Sequence, residues 1–207
     1  MPAAPLHLDF DAAIEHLHGH VGALVARLDR PHAVVGVAGP PGAGKSHLAR
    51  LLAGRAGGLV VTTDDYLPDY DATPEHLRDL PESSDLERLA RDLAGLARGE
   101  ATLVPEWSFK EHRRVGQREV RASGVIVCEG LHALHERVRG VLDVRVLVEA
   151  SAGARLARVE RRERGGERGW TVEYAREFFE TVADPTFARY APGYRGVADV
   201  IVRNERG

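Results

Sequence analysis

Cysteine is nearly absent from this chain: Cys128 is the only one in 207 residues. An internal disulfide and a cysteine-built zinc site are therefore excluded, and a reducing, cytoplasmic setting is expected. No apolar run approaches the ~18 residues of a membrane helix, so no membrane partner is expected. The opening MPAAPLHLDFDAA has no basic stretch followed by an apolar one, and no secretory leader is expected. Positive charge is not in excess either. Lys+Arg number 28 against 31 Asp+Glu, a formal net charge of −3. That argues against a dedicated nucleic-acid or membrane-surface binder. Lysine itself is scarce, with only Lys45 and Lys110 among the 28 basic residues. Where a lysine persists, the position suits a compact ammonium rather than a planar guanidinium.

What is present suffices for a core. The chain is 43% hydrophobic and 29% charged, which fits one globular domain over 1–207. Phe10, Ile14, Leu17, Val21, Leu24 and Leu28 recur at spacings of three and four, predicting an amphipathic helix over 9–29 within an N-terminal segment 1–32. Short apolar runs at 33–38, 59–62, 125–128, 144–148 and 200–202 read as buried strands. Helical stretches at 45–54, 85–98, 131–139, 151–163 and 171–182 alternate with them. Five buried strands alternating with helices predict a mainly parallel, doubly wound α/β sheet with helices on both faces. In such a sheet the chemistry collects beyond the carboxyl ends of the strands. Residues 64–124, with Pro68, Pro74, Pro81 and Pro105, read as one helix with long loops, a substrate-side insertion. RRERGGERG at 161–169 reads as a loop or helix end, part of a lid over 158–170.

The first strand runs into Gly39-Pro40-Pro41-Gly42-Ala43-Gly44-Lys45-Ser46, followed by His47. This is G-x-x-x-x-G-K-[ST] between a strand and a helix, the signature of a three-layer α/β/α P-loop NTPase. Glycines let main-chain amides turn inward around phosphate oxygens, and the next helix adds its positive end. Lys45 suits the β- and γ-phosphates of ATP, and the Ser46 hydroxyl suits Mg²⁺. An N-K-x-D segment that would read guanine is absent. Asp64 follows the second strand and Glu129 ends the third, so both fall on the phosphate-loop edge of the sheet. Asp64 can accept a proton or hold a magnesium water, or it can cap the next turn. Glu129 has the same two readings.

From this point the order of motifs resembles the uridine kinase and phosphoribulokinase family of P-loop kinases, with segments like those of bacterial pantothenate kinase. The resemblance covers about residues 33–203. Its carriers are Thr62-Thr63-Asp64-Asp65-Tyr66-Leu67, Arg78-Asp79-Leu80-Pro81-Glu82-Ser83-Ser84-Asp85, and the stretch from Val104 to Arg114. Val125 to Leu134 and Val197 to Ile201 resemble two of the family's core strands. The resemblance implies ATP-dependent transfer of a phosphoryl group to a hydroxyl of a small-molecule acceptor, uridine or cytidine first. It implies Asp64 as general base and Ser46 with Glu129 as Mg²⁺ ligands. It implies an acceptor site built from Asp64, Tyr66, Asp79, Trp107, Phe109, His112 and Arg114. It also implies Arg162 and Arg168 as lid arginines that clamp the transferring group. A homo-oligomer stays open, and a regulatory ATPase without a small acceptor is the reading from another class.

Three departures concern the acceptor. Leu67 stands where uridine kinases have an aromatic, Ser108 where they have an acid between two aromatics, and Phe178 near their pyrimidine-reading glutamine. The lid carries one extra residue near Gly165-Gly166, and Val159 replaces one of its arginines. Trp107 and Phe109, two apart, also fit one face of a short edge strand. His16 and His20 share a helix face with no acid to complete a metal site, which predicts a solvated face.

Overall fold

The computed structural model describes residues 4–206. Six strands form one sheet: β1 (Leu6–Asp9), β2 (Val34–Ala38), β3 (Leu59–Thr62), β6 (Ile126–Glu129), β7 (Val144–Glu149) and β8 (Val200–Arg203). Their order is β1-β8-β7-β2-β6-β3, and every neighbouring pair is parallel. The expected five strands are all present. The sixth, β1, is a four-residue exposed edge strand with no apolar run to announce it.

Helices cover both faces. On one side, α1 (Phe10–Val25) and α2 (Lys45–Arg55) bury Phe10, Leu17, Leu48 and Leu52 against Val35, Val37, Val127 and Val146. On the other, α3 (Leu86–Ala97) and α7 (Asp184–Val197) bury Leu89, Leu93, Phe187 and Tyr194 against Val34, Ile126, Cys128 and Leu147. Adjacent residues of β2 thus serve opposite faces, which is why that strand reads as an unbroken apolar run. Asp9 starts α1 by accepting the Ala12 N–H at 2.9 Å, and Asp85 starts α3 by accepting the Arg88 N–H at 3.1 Å.

Three regions differ from the sequence reading. The insertion holds more than a helix and loops. Four 3-10 turns precede α3, and an antiparallel hairpin of β4 (Thr102–Ser108) and β5 (Arg113–Val120) follows it. Pro105 and the charges of β5 hide this pair, because the hairpin lies outside the main sheet and β5 is mostly exposed. The stretch 131–139 is helical only in the short α4 (Glu136–Arg139). The predicted 171–182 helix is α6 (Val172–Phe178), which continues through a wide π turn, Phe179–Ala183, into α7. Pro185, Pro192, Gly193 and Gly196 argue against α7 locally. Pro185 sits in its first turn, where a missing N–H is tolerated. Burial of Phe187 and Tyr194 overrides the rest. α5 (Ala152–Arg164) lies as predicted.

Candidate functional site

Because all six strands run the same way, the ends of β2, β3 and β6 open onto one cleft of about 330 Å³. The loop after β2 makes its floor. Gly42 (φ 73°) and Gly44 (φ 99°) occupy the left-handed region, and no side chain caps α2. A Cβ on Gly42 would run into the Arg155 main chain, and one on Gly44 into the Asn204 side chain. The loop is held from behind through its carbonyls. Arg158 donates to Gly42 O at 3.0 Å, Asn204 Nδ2 donates to Ala43 O at 2.8 Å, and Arg155 donates to Pro41 O at 3.4 Å. Carbonyls turned outward leave the amides at the start of α2 turned toward the cleft, a cradle for an anion.

The charges around that cradle fit the same ligand. Lys45 is buried and donates to Pro40 O at 3.1 Å. Burial brings its ammonium down to about 8, with Arg168 and Arg162 adding to the strain. Burial also disfavours the charge on Arg162, again with Arg168 beside it. Asp64 lies near Arg168 and Glu163 pairs with Arg162, yet three cations gathered at one glycine loop suit an anion with several charges. Opposite them, the Ser46 hydroxyl donates to Glu129 Oε1 at 3.1 Å. Burial and the nearby Asp64 carboxylate raise the Glu129 carboxyl above its ordinary range. Ser46 and Glu129 are thus adjacent hard oxygen donors, and a divalent cation would relieve the buried carboxylate. Gly130 (φ 150°) lets the end of β6 approach the end of β3, since a Cβ there would strike the Thr63 side chain.

Asp64 lies in the 3-10 turn Thr63–Tyr66 that follows β3, and Thr62, not Asp64, is the cap, accepting the Asp64 N–H at 3.2 Å. The Asp64 carboxylate is left to face the cleft, 3.7 Å from Arg168 Nη2. The Arg168 guanidinium in turn lies over the Phe109 ring at 4.2 Å. Farther in, Asp79 lines the wall with Leu67, Tyr70 and Phe109. Burial raises the Asp79 carboxyl to about 6.

Of the residues expected here, Pro41, Gly42, Gly44, Lys45, Ser46, His47, Asp64, Asp79, Phe109, Glu129, Arg162 and Arg168 line one cleft. Gly39, Pro40 and Ala43 stand behind it in the loop. Four further acceptor expectations lie outside the lining of that cleft. Tyr66 is fully buried and donates to Asp92 on α3 at 2.9 Å. Trp107 backs the wall instead of forming it: its Nε1 donates to Pro68 O at 3.2 Å, and its ring packs on Tyr70 and Phe109. His112, with a left-handed φ of 53°, stacks on Tyr70 at 5.6 Å and lies 5.8 Å from Trp170. Arg114 is exposed on β5, and its main-chain N–H donates to Asp69 Oδ1 at 2.8 Å. The edge-strand reading was the correct one for Trp107, which lies within β4. Tyr70, Arg50, Arg158 and Leu131 also line the cleft, and no motif in the sequence marks Tyr70. His16 and His20 stack at 5.8 Å on the exposed face of α1, and no metal-binding cluster of His, Cys, Asp or Glu occurs among the described residues. Nor is any helix among them long and apolar enough to cross a membrane.

Comparison with known proteins extends this geometry. A uridine kinase of Geobacillus sp. (strain WCH70) is 32% identical over 179 residues, 82% of this chain and 84% of that protein. An inorganic pyrophosphatase of Arabidopsis thaliana is 35% identical over 117 residues, 56% of this chain, and there the chain spans only 17% of the relative's length. The solved structure of a possible uridine kinase from Bacillus stearothermophilus superposes with a TM-score of 0.56 at 18% identity, covering 91% of this chain and 97% of that one. The model of the phosphoribulokinase / uridine kinase family matches residues 34–206, from the first residue of β2 through the phosphate loop to the end of the described chain. With a glycine-built anion cradle and two strand-end acids held in one cleft, the chain belongs to the phosphoribulokinase / uridine kinase family of P-loop kinases.

Proposed function

We propose that the chain transfers the γ-phosphoryl group of ATP to a hydroxyl of a small, uncharged polyhydroxyl acceptor, with uridine or cytidine as first choice. The observation that carries this reading is the meeting of the phosphate loop with Asp64 and Asp79 in one cleft. The loop amides and Lys45 bind the triphosphate. Mg²⁺, which Ser46 and Glu129 would hold, supplies neutralisation of charge on the β- and γ-phosphates. Asp64 accepts the proton of the attacking hydroxyl as its oxygen bonds to the γ-phosphorus and the bond to the leaving ADP oxygen breaks. Arg168 turns from Asp64 toward the transferring group, and with Arg162 closes the 158–170 lid over it, excluding water.

The acceptor end supports an uncharged substrate. It presents two carboxylates, Asp64 and Asp79, and few free cations. Arg78 spends its guanidinium on the Thr73 and Tyr70 carbonyls, both at 3.3 Å. Arg114 is exposed on β5. Two carboxylates side by side suit the hydroxyl donors of a neutral acceptor.

The test is ADP formation from MgATP with uridine, cytidine, pantothenate, nicotinamide riboside, glycerate and ribulose 5-phosphate. Strong stimulation by a neutral acceptor, lost at least ~100-fold in Asp64→Asn, supports the reading. Slow ADP release that no acceptor changes, and that Asp64→Asn leaves alone, favours a regulatory ATPase instead.

A further inference from the structure

One buried titratable side chain takes no part in that mechanism. His132 is 4% exposed and follows Glu129 by three residues, on the turn after β6. Its Nε2 lies 2.7 Å from the main-chain carbonyl oxygen of Asp79, and its Nδ1 lies 2.7 Å from the Tyr194 hydroxyl on α7. A carbonyl only accepts, so Nε2 carries the hydrogen. Nδ1 is then the acceptor, and Tyr194 donates to it. Burial brings the imidazole down to about 4, so the ring is neutral and keeps this tautomer at neutral pH. Tyr190 packs edge-on at 5.1 Å, and its hydroxyl reaches Glu82 at 3.3 Å, three residues past Asp79.

The Asp79 segment needs such a hold. It lies between the 3-10 turns Glu75–Leu77 and Pro81–Ser83, outside every strand and long helix. Among the described residues, His132 is the one donor found to the Asp79 carbonyl. An apolar side chain of similar volume would fill the space. It would leave that carbonyl and the Tyr194 hydroxyl buried and unpaired.

We propose that His132 is a positioning residue for the acceptor: it fixes the Asp79 main chain so that the carboxylate points into the cleft, and it ties the acceptor loop to the turn that follows Glu129. The inference rests on the reading of Asp79 as an acceptor-binding group. Its test is steady-state kinetics with MgATP and uridine. His132→Leu raises the uridine KM roughly tenfold and leaves the ATP KM within about twofold. His132→Gln, whose amide can donate from the Nε2 position, recovers most of the loss. Tyr194→Phe, which keeps the ring and removes the hydroxyl, shifts the uridine KM the same way by less, and it decides the matter if His132→Leu does not fold.

Both KM values rising together, no change in either, or a Gln variant as poor as Leu would overturn the inference. Asp79→Asn is the control: an unchanged uridine KM there shows that the acceptor reading has failed instead. Amide hydrogen exchange gives a readout that needs no acceptor. Exchange over 77–83 quickens in His132→Leu and returns in His132→Gln, while 39–47 holds steady. Equal quickening of both segments, or of neither, overturns the inference.

Discussion

In the proposed reading, Asp79 is one carboxyl that serves binding at the expense of stability. Its carboxyl is raised from 3.8 to about 6, chiefly by burial. The ionised form accepts hydrogen bonds from acceptor hydroxyls, and the protonated form does so less well. The expected kcat/KM for the acceptor therefore falls as pH drops through about 6, and Asp79→Asn lowers kcat/KM and flattens that limb; a pH–rate series on both proteins checks it. Stability runs the other way. A carboxyl whose folded value lies above its unfolded value favours the fold at low pH, and that contribution is lost as pH rises through about 6. Asp79→Asn should thus raise Tm above pH 6 and lose its advantage toward pH 4, read by thermal melts across that range. Such an opposition between stability and activity is expected of a binding site. The sequence places Asp79 after the resemblance is drawn, but nothing in it shows that the carboxyl is buried.

At the scale of elements, α5 joins two parts of the site. Its C-terminal half carries Arg162, and its N-terminal half grips the phosphate loop through Arg155 and Arg158. Arg155 is almost fully buried, pairs with Asp184 at 2.6 Å and lies 5.3 Å over the Phe179 ring. It thereby locks α5 to the π turn and to α7. Arg155→Met removes the charge partner and the bond to Pro41 O together. The expected cost is about 2–3 kcal/mol in denaturant titration, with a severalfold rise in the ATP KM. An unchanged ATP KM would separate the helix from the loop. The arginine-rich character of 155–168 is legible in the sequence, but the division of labour is not. Spacing along a helix shows that Arg155, Arg158 and Arg162 share a face, not that its first part grips the loop while its last turn reaches the cleft.

At the scale of the molecule, charge is unevenly spread. The chain carries −3 overall. The cleft gathers Lys45, Arg50, Arg158, Arg161, Arg162 and Arg168 against Asp64, Asp79, Glu129 and Glu167, six cations to four anions. A locally positive cleft on a negative protein would steer the triphosphate of the proposed reaction inward, and salt would screen that attraction. The ATP KM should rise at least about threefold between roughly 0.05 and 0.5 M salt, while the KM for an uncharged acceptor stays nearly constant. A salt-independent ATP KM would show that the amide cradle alone holds the phosphates.

The parallel core and the glycine loop after β2 were legible because each rests on local rules. A strand buried on both faces must be apolar throughout, and a phosphate cradle must have glycine where a Cβ would collide, as at Gly42 and Gly44. The strand-end acids Asp64 and Glu129 followed from the parallel direction alone. The β4–β5 hairpin, α7 and the edge strand β1 were decided by tertiary packing, because their own residues argue for exposure or breakage: charges in β5, Pro192 in α7, an exposed LHLD in β1. The acceptor wall divides on the same line. Side-chain identity made Tyr66, Trp107, His112 and Arg114 suitable, but packing places them outside the cleft lining, Tyr66 against α3 and the others on the hairpin, and Tyr70 lines it instead. Which way a side chain faces on an irregular segment is set by what packs behind it, and no spacing rule carries that information.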